Sequence, residues 1–200
     1  MKGSLIIVAF FALGIFTGMY KILPDTILEN DLSVYVLYVL MFLVGVSIGS
    51  DKNAIRTIFS QKWKVLLVPV ATIVGTYLGC MLIVPLLTNI KLTDCLAIGS
   101  GFGYYSLSSI FISQYRGVEL GTIALTSNIM REMITLVLAP LLVAYFGKLS
   151  TVSAGGATSM DTTLGVITKY SGKEYVPIAI FHGIVLDFTV PFLVTFFATI

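Results

Sequence analysis

Two adjacent charged residues, Arg131 and Glu132, stand in the middle of a long apolar segment, GTIALTSNIMREMITLVLAP, at positions 121–140. At 100° per residue, one broad face of a helix built from this segment carries small, polar and charged side chains: Gly121, Ala124, Asn128, Arg131, Glu132 and Thr135. An ionised side chain at the centre of a lipid bilayer is unfavourable by roughly 2.5–3.5 kcal/mol, so this face must line a cavity or meet a partner.

The alternative for Arg131 and Glu132 is a structural ion pair that only fixes two helices. Because neighbouring side chains leave a helix about 100° apart, the two residues point to different neighbours and need not neutralise each other. We therefore treat Asn128, Arg131 and Glu132 as candidate binding residues.

A second unusual stretch, SAGGATSMDTTL, occupies positions 153–164. Gly155 and Gly156 favour a break in a helix, Asp161 supplies a charge, and hydroxyl groups come from the remaining polar residues: Ser153, Thr158, Ser159, Thr162 and Thr163. Non-helical backbone at membrane depth is tolerated only where it is buried in protein or lines a water-filled cavity. The free N–H groups at such a break attract anions, as in the broken helices of secondary transporters. This pattern predicts a transport site; an ordinary loop outside the membrane is the alternative.

The composition indicates the elements that must position these residues. Hydrophobic residues make up 57% of the 200-residue chain and charged residues 11%, which is typical of an all-α integral membrane protein. Since a transmembrane helix needs about 20 apolar residues, six spans are candidates: residues 5–23, 32–49, 65–87, 95–115, 121–146 and 175–200. The span at 95–115 contains the polar, glycine-rich GSGFGYYSLSS and is a poor helix for a lipid environment. Residues 151–168 are a seventh, weaker candidate that either crosses or re-enters.

Positive charges in the loops predict the orientation, because cytoplasmic loops are rich in Lys and Arg. The loop at 51–64 carries four basic residues and one Asp, so we expect it inside. Counting residues 95–115 as a crossing then places Arg116 inside and Lys148 outside. The net charge of +2 gives no reason to expect a nucleic-acid partner. The pattern predicts neither a cofactor nor a metal site.

His182 and Asp187 both fall in the last span, about 140° apart at 100° per residue, so they do not form a dyad on one face. His182 is either a packing hydrogen-bond donor or a proton-handling group. The sequence leaves the roles of both residues open.

Three blocks in the C-terminal half resemble, in order and spacing, the bacterial lysine exporter family, formerly a family of unknown function: GFGYYSLSS at 101–109, LTSNIMRE at 125–132 and SAGGATSMDTTL at 153–164. The N-terminal half is similar to the family in hydropathy only. The resemblance implies a single transporter domain over residues 1–200, distantly similar to cation/proton antiporter folds with broken helices. It implies that the intramembrane acidic pair of the family falls on Glu132 and Asp161.

The resemblance also implies export of L-lysine and its analogue thialysine across the bacterial inner membrane by a multi-pass protein that is not an enzyme. Exchange for protons is expected, because a counter-moving proton cancels the charge that lysine carries against the membrane potential. Family members carry additional N-terminal sequence, so we expect missing helices to come from a small membrane subunit or a homo-oligomer.

The sequence alone leaves other classes of function open. A sodium/proton or other amino-acid transporter would satisfy the same burial argument, and a non-transporting subunit of a split complex would fit a short chain. An intramembrane aspartyl protease would need two facing aspartates, and its G-x-G-D pattern does not occur in the sequence.

Overall fold

The structure of the protein is a computed structural model that describes residues 63–88 and 90–200, together with scattered single positions between residues 13 and 46. Contacts divide the chain into two units, Met1–Gly45 and Val46–Ile200. In the first unit the described positions are helical apart from a turn at Tyr20, whose ring stacks on that of Phe16 at 5.9 Å. The predicted spans at 5–23 and 32–49 lie outside the described residues.

Every regular element described in the second unit is helical. The α-helices follow in the order α1 (Leu67–Ile83), α2 (Leu92–Gly99), α3 (Tyr105–Arg116), α4 (Val118–Phe146), α5 (Ser150–Gly155), α6 (Leu164–Tyr170) and α7 (Val176–Thr199). Short 3₁₀-helices precede or follow them at Trp63–Leu66, Val84–Leu86, Gly156–Met160 and Lys173–Tyr175.

Three helical stretches of the described chain are long and apolar enough to cross a membrane: Leu67–Leu86, Val118–Phe146 and Lys173–Thr199. They contain α1, α4 and α7 and confirm that three of the predicted spans are long apolar helices. In the most apolar part of the last stretch half of the residues are buried, whereas in each of the other two stretches 17% are buried. The helix α7 is therefore the central element, whereas α1 and α4 expose most of their apolar surface.

Residues 92–116 form a helical hairpin, which we call the first hairpin, in place of the single helix that a crossing at 95–115 would require. The helices α2 and α3 have 8 and 12 residues, so each is too short to cross a bilayer core of about 30 Å at 1.5 Å per residue. They fold back on each other, because Arg116 Nε at the end of the hairpin lies 3.5 Å from Asp94 Oδ1 at its start. The chain turns at residues 100–104, the first tip.

Residues 150–171 form the second hairpin. Thr151 Oγ1 at its start and Ser171 Oγ at its end are 2.6 Å apart and buried. Between α5 and α6 the chain passes through the 3₁₀-helix Gly156–Met160 and a turn, and residues 156–163 are the second tip. The fold-back is the geometry that the re-entrant alternative requires, because a straight crossing helix would separate its two ends.

Candidate functional site

The two hairpin tips touch each other inside the protein. The backbone N–H of Ala157 in the second tip donates to the carbonyl oxygen of Phe102 in the first tip, at 2.8 Å. Phe102 is fully buried and has a φ of +43°, a left-handed conformation that non-glycine residues seldom adopt. Gly156 follows the break with a φ of +64°, and a Cβ atom there would collide with the Phe102 carbonyl. The contact therefore requires glycine at position 156.

Asn128 of α4 holds the first tip. Its Oδ1 accepts from the backbone N–H of Gly103 at 2.7 Å, and its Nδ2 donates to the carbonyls of Ile98 at 3.2 Å and Ala124 at 2.9 Å. Ile98 lies in the last turn of α2, where carbonyl groups lose their helical partners. The buried amide thus satisfies the Gly103 N–H, which the interruption of the first hairpin leaves over, and gives Ile98 O a second donor beside the Gly101 N–H.

Arg131, one turn further along α4, holds the second tip. Its Nε donates to Ala154 O and its Nη2 to Ser153 O, both at 2.9 Å, while its Nη1 lies 3.3 Å from Thr76 Oγ1 of α1. The guanidinium group also lies 5.9 Å from the centre of the Phe102 ring. Arg131 therefore places a positive charge at the C-terminal, carbonyl-rich end of α5, where a cation is favourable.

His182 ties the second tip to two long helices. Its Nδ1 lies 3.1 Å from Ser159 Oγ of the tip, and its Nε2 lies 2.9 Å from Thr72 Oγ1 of α1. The Ser159 hydroxyl also donates to Ala179 O of α7 at 2.8 Å. His182 is fully buried, so its ring connects α7 to α1 and to the second tip through buried hydrogen bonds.

Three acidic residues surround the meeting point of the tips. Glu132 is buried in α4 with 1% exposure, and Asp187 is buried in α7 with 6% exposure, whereas Asp161 is exposed at the end of the second tip. Asp161 interacts electrostatically with both Glu132 and Asp187. Tyr105 lies within electrostatic range of Glu132 and Asp161, and Tyr104 within range of Asp161 and Asp187. The fold thus brings together carboxylates from three separate segments.

A cavity of about 700 Å³ lies between α1, α4 and the start of the second hairpin. Its polar lining consists of Arg131 and five hydroxyl side chains: Thr72, Thr76, Ser127, Thr135 and Ser153. This volume is within the usual range for small-molecule sites, and Arg131 stands in its wall.

Comparison with known proteins shows which family the chain belongs to. The profile of the family described as "Lysine exporter LysO" matches residues 8–198. The chain belongs to the lysine exporter LysO family. Lysine exporter LysO of Escherichia coli (strain K12) is 34% identical to it over 169 residues, which are 84% of this chain and 56% of that protein. A provisionally named lysine exporter of Haemophilus influenzae is 32% identical over 170 residues, 85% of this chain and 86% of that protein.

The chain thus spans little more than half the length of the E. coli relative. No solved structure matches it significantly. Membership of a transporter family, together with the three long apolar helices, identifies an integral membrane protein.

In this LysO-family chain the predicted site residues lie at or beside the two tips, but their side chains make different kinds of contact. Asp161 lies within electrostatic range of Glu132, and the prediction that the two form the acidic pair of the site stays a prediction. Thr162 donates its backbone N–H to the Asp161 carboxylate. Ser159 faces α7, and Gly155 packs against Thr163, whose Oγ1 would lie 2.6 Å from an added Cβ. Substrate contact by any of these residues stays a prediction.

Sequence reasoning missed the first tip as a partner of the second. The glycine-rich GSGFGYY segment at 99–105 signalled a poor helix, but its contact with Gly156 and Ala157 is not encoded in local periodicity. The sequence likewise contained no sign of the partners of Arg131, whose described donors reach carbonyl oxygens and the Thr76 hydroxyl. Helical periodicity relates Asp187 only to His182 on the same helix, whereas in the structure the Asp161 carboxylate lies within electrostatic range of Asp187.

Proposed function

We propose that the chain exports L-lysine from the cytoplasm and binds it where the two hairpin tips meet. Lysine carries two ammonium groups and one carboxylate. The site offers the complementary set of two carboxylates, on Glu132 and Asp161, and one guanidinium group, on Arg131. The proposal rests on this match between the charges of Glu132, Asp161 and Arg131 and those of lysine. The names of both relatives support the same substrate.

Arg131 retains capacity for the carboxylate of the substrate. A guanidinium group has five N–H donors, and three of those of Arg131 are directed at Ser153, Ala154 and Thr76. The remaining donors and the hydroxyl-lined cavity beside them suit an anionic group in a partly desolvated space. In this proposal the carboxylate of lysine binds beside Arg131, and the ammonium groups bind Glu132 and Asp161.

The hairpins enter the membrane from opposite sides in this proposal. With the loop at 51–64 inside, α1 runs outward, the first hairpin re-enters from outside, α4 runs inward, the second hairpin re-enters from inside and α7 runs outward. Lys148, Lys169 and Lys173 then lie inside with the basic loop, in agreement with the positive-inside rule. Arg116 moves to the outside, in contrast to the orientation expected from a simple count of spans.

Exchange for protons provides the driving force in this proposal. Moving one positive charge out of a negatively charged cell is unfavourable by about 2.3 kcal/mol per 100 mV, and a proton moving inward removes this electrical term. An ammonium group and a proton both neutralise the acidic residues of the site, so lysine and protons alternate in it. The expected location is the bacterial inner membrane, where such a potential exists.

The test is efflux of radiolabelled lysine from cells that lack lysine export and express the chain alone or with its genomic neighbours. We expect Glu132→Gln to abolish efflux at normal membrane abundance, while Glu119→Gln, an exposed glutamate on the same helix, leaves efflux intact. Normal efflux in Glu132→Gln would contradict the proposal. Efflux that requires a neighbouring gene would identify a second subunit of the transporter.

A further inference from the structure

Asp187 is a buried carboxyl group that the proposed lysine site does not use. It is 6% exposed and lies in the middle of α7, the most buried of the long helices. Within residues 63–88 and 90–200, its carboxyl group has neither a hydrogen bond nor an ion pair with a described side chain or backbone group. A largely buried carboxyl group that no described side chain or backbone group binds is available to a small ligand.

The surroundings of Asp187 identify the chemistry of that ligand. Gly183, one turn before Asp187 on α7, packs directly against Met160 of the second tip, and Asp161 is the next residue of that tip. The Asp161 carboxylate lies within electrostatic range of Asp187, and the Tyr104 hydroxyl of the first tip lies within range of both. Two neighbouring carboxylates repel each other when both are charged, so a cation bound to one of them is favourable. The pair therefore suits a small cation, and the smallest is a proton.

We propose that Asp187 holds the proton that is exchanged for lysine, in the same site in which Asp161 holds a lysine ammonium group; this rests on the proposed lysine export. When lysine is absent, the uncompensated charge of Asp161 draws a proton onto Asp187. When an ammonium group neutralises Asp161, that attraction disappears and the proton leaves. Lysine and the proton each carry one positive charge, so the site has the same net charge in both states. As lysine binds from the cytoplasm, the O–H bond at Asp187 breaks and the proton passes to water on the cytoplasmic side. As lysine leaves on the outer side, Asp187 takes a proton from water there and the O–H bond re-forms.

The other ionisable groups around α7 fit this assignment. His182, on the same helix, is held by Ser159 and Thr72, and Asp94 and Arg116 pair with each other at one end of the first hairpin. Arg131 is directed at the carbonyls of α5, while Glu132 and Tyr105 lie within electrostatic range of Asp161. Among the described residues, Asp161 and Tyr104 are thus the groups that face Asp187.

The experiment uses the full chain in proteoliposomes and compares two modes of radiolabelled lysine transport. One is lysine/lysine exchange at equal pH, and the other is lysine movement driven by a pH gradient. We expect Asp187→Asn to keep exchange and to lose the response to the gradient, while the control Glu174→Gln, an exposed glutamate, keeps both. A retained gradient response in Asp187→Asn would overturn the inference, and so would loss of both modes at normal reconstituted abundance.

Further measurements separate this inference from the proposed function. Wild-type chain that exchanges no lysine would refute lysine transport itself, whereas wild-type chain that exchanges lysine and responds to a sodium gradient instead of a pH gradient would overturn only the assignment of a proton. If Asp187→Asn does not accumulate, Asp187→Glu serves in its place, since it keeps the carboxyl group and moves it by one methylene. We expect the pH profile of gradient-driven transport to shift in Asp187→Glu, and an unchanged profile would overturn the inference.

Discussion

Asn128 and Arg131 lie one helical turn apart on α4, and each hydrogen-bonds to the interrupted backbone of a different hairpin. Asn128 binds Gly103 N and Ile98 O of the first hairpin, and Arg131 binds Ser153 O and Ala154 O of the second. One turn of a single helix therefore sets the distance between the two tips, and Glu132, the next residue, is fixed at the same level. In this arrangement the polar face of α4 supports both tips as well as contributing Arg131 and Glu132 to the proposed site.

The first prediction concerns Asn128. Replacing it with alanine leaves the buried N–H of Gly103 and the carbonyl of Ile98 without their side-chain partner, and an unsatisfied buried group is unfavourable by about 1–3 kcal/mol. We expect Asn128→Ala to lower the thermal midpoint of the detergent-solubilised protein and to impair lysine efflux. Thr126→Ala is the matched control, because the exposed Thr126 hydroxyl bonds only to Thr122 O within the same helix. Equal midpoints for the two variants would contradict this supporting role of Asn128.

A second prediction tests whether Arg131 mainly binds the carbonyls of the second hairpin or mainly neutralises Asp161. Lysine at position 131 keeps the charge but cannot direct parallel N–H groups at two carbonyls, so we expect Arg131→Lys to be less stable than wild type and to transport poorly. Because Arg131 binds carbonyls in the structure, adding Asp161→Asn to Arg131→Ala should not restore stability. Thermal unfolding of the single and double variants measures this. Recovery in the double variant would show instead that Arg131 mainly neutralises Asp161.

A third prediction tests the contact between the tips. Alanine at position 156 has to adopt a φ of +64° with its Cβ against the Phe102 carbonyl, and a left-handed conformation alone is unfavourable by roughly 1–2 kcal/mol. We expect Gly156→Ala to abolish lysine efflux at reduced thermal stability. Gly165→Ala is the control, since a Cβ at Gly165 of the same hairpin meets nothing within 4 Å. Equal efflux from the two variants would rule out a required contact.

A fourth prediction addresses the first hairpin in the membrane. Single cysteines at positions 91 and 119, both exposed, are introduced after Cys80 and Cys95 have been replaced by alanine. If residues 92–116 re-enter, a membrane-impermeant thiol reagent labels both positions from the same side, and we expect the periplasmic side. A cysteine at position 148 should label from the opposite side. Labelling of positions 91 and 119 from different sides would show that this segment crosses.

Local sequence features predicted the elements of this site better than they predicted the contacts between them. The apolar windows gave three long helices of the second unit, Gly155 and Gly156 marked a real interruption, and helical periodicity placed Glu132 on the buried face. The partners of Arg131 were not predictable in this way, because carbonyls freed by a helix break can belong to any residue type. The fold-back of residues 92–116 depends on contacts of Arg116 with Asp94 and Ala198, which are distant in sequence and leave no periodic signal.

The most direct test of the lysine site is protection of a cysteine beside Asp161. Thr162 is exposed and adjacent to that carboxylate, so Thr162→Cys keeps all three proposed charged ligands and provides a reactive thiol at the second tip. We predict that L-lysine slows the labelling of this cysteine by a water-soluble thiol reagent, that norleucine, which lacks the terminal ammonium group, does not, and that adding Glu132→Gln removes the protection. Labelling that proceeds at the same rate with and without lysine would contradict a lysine site where the two tips meet.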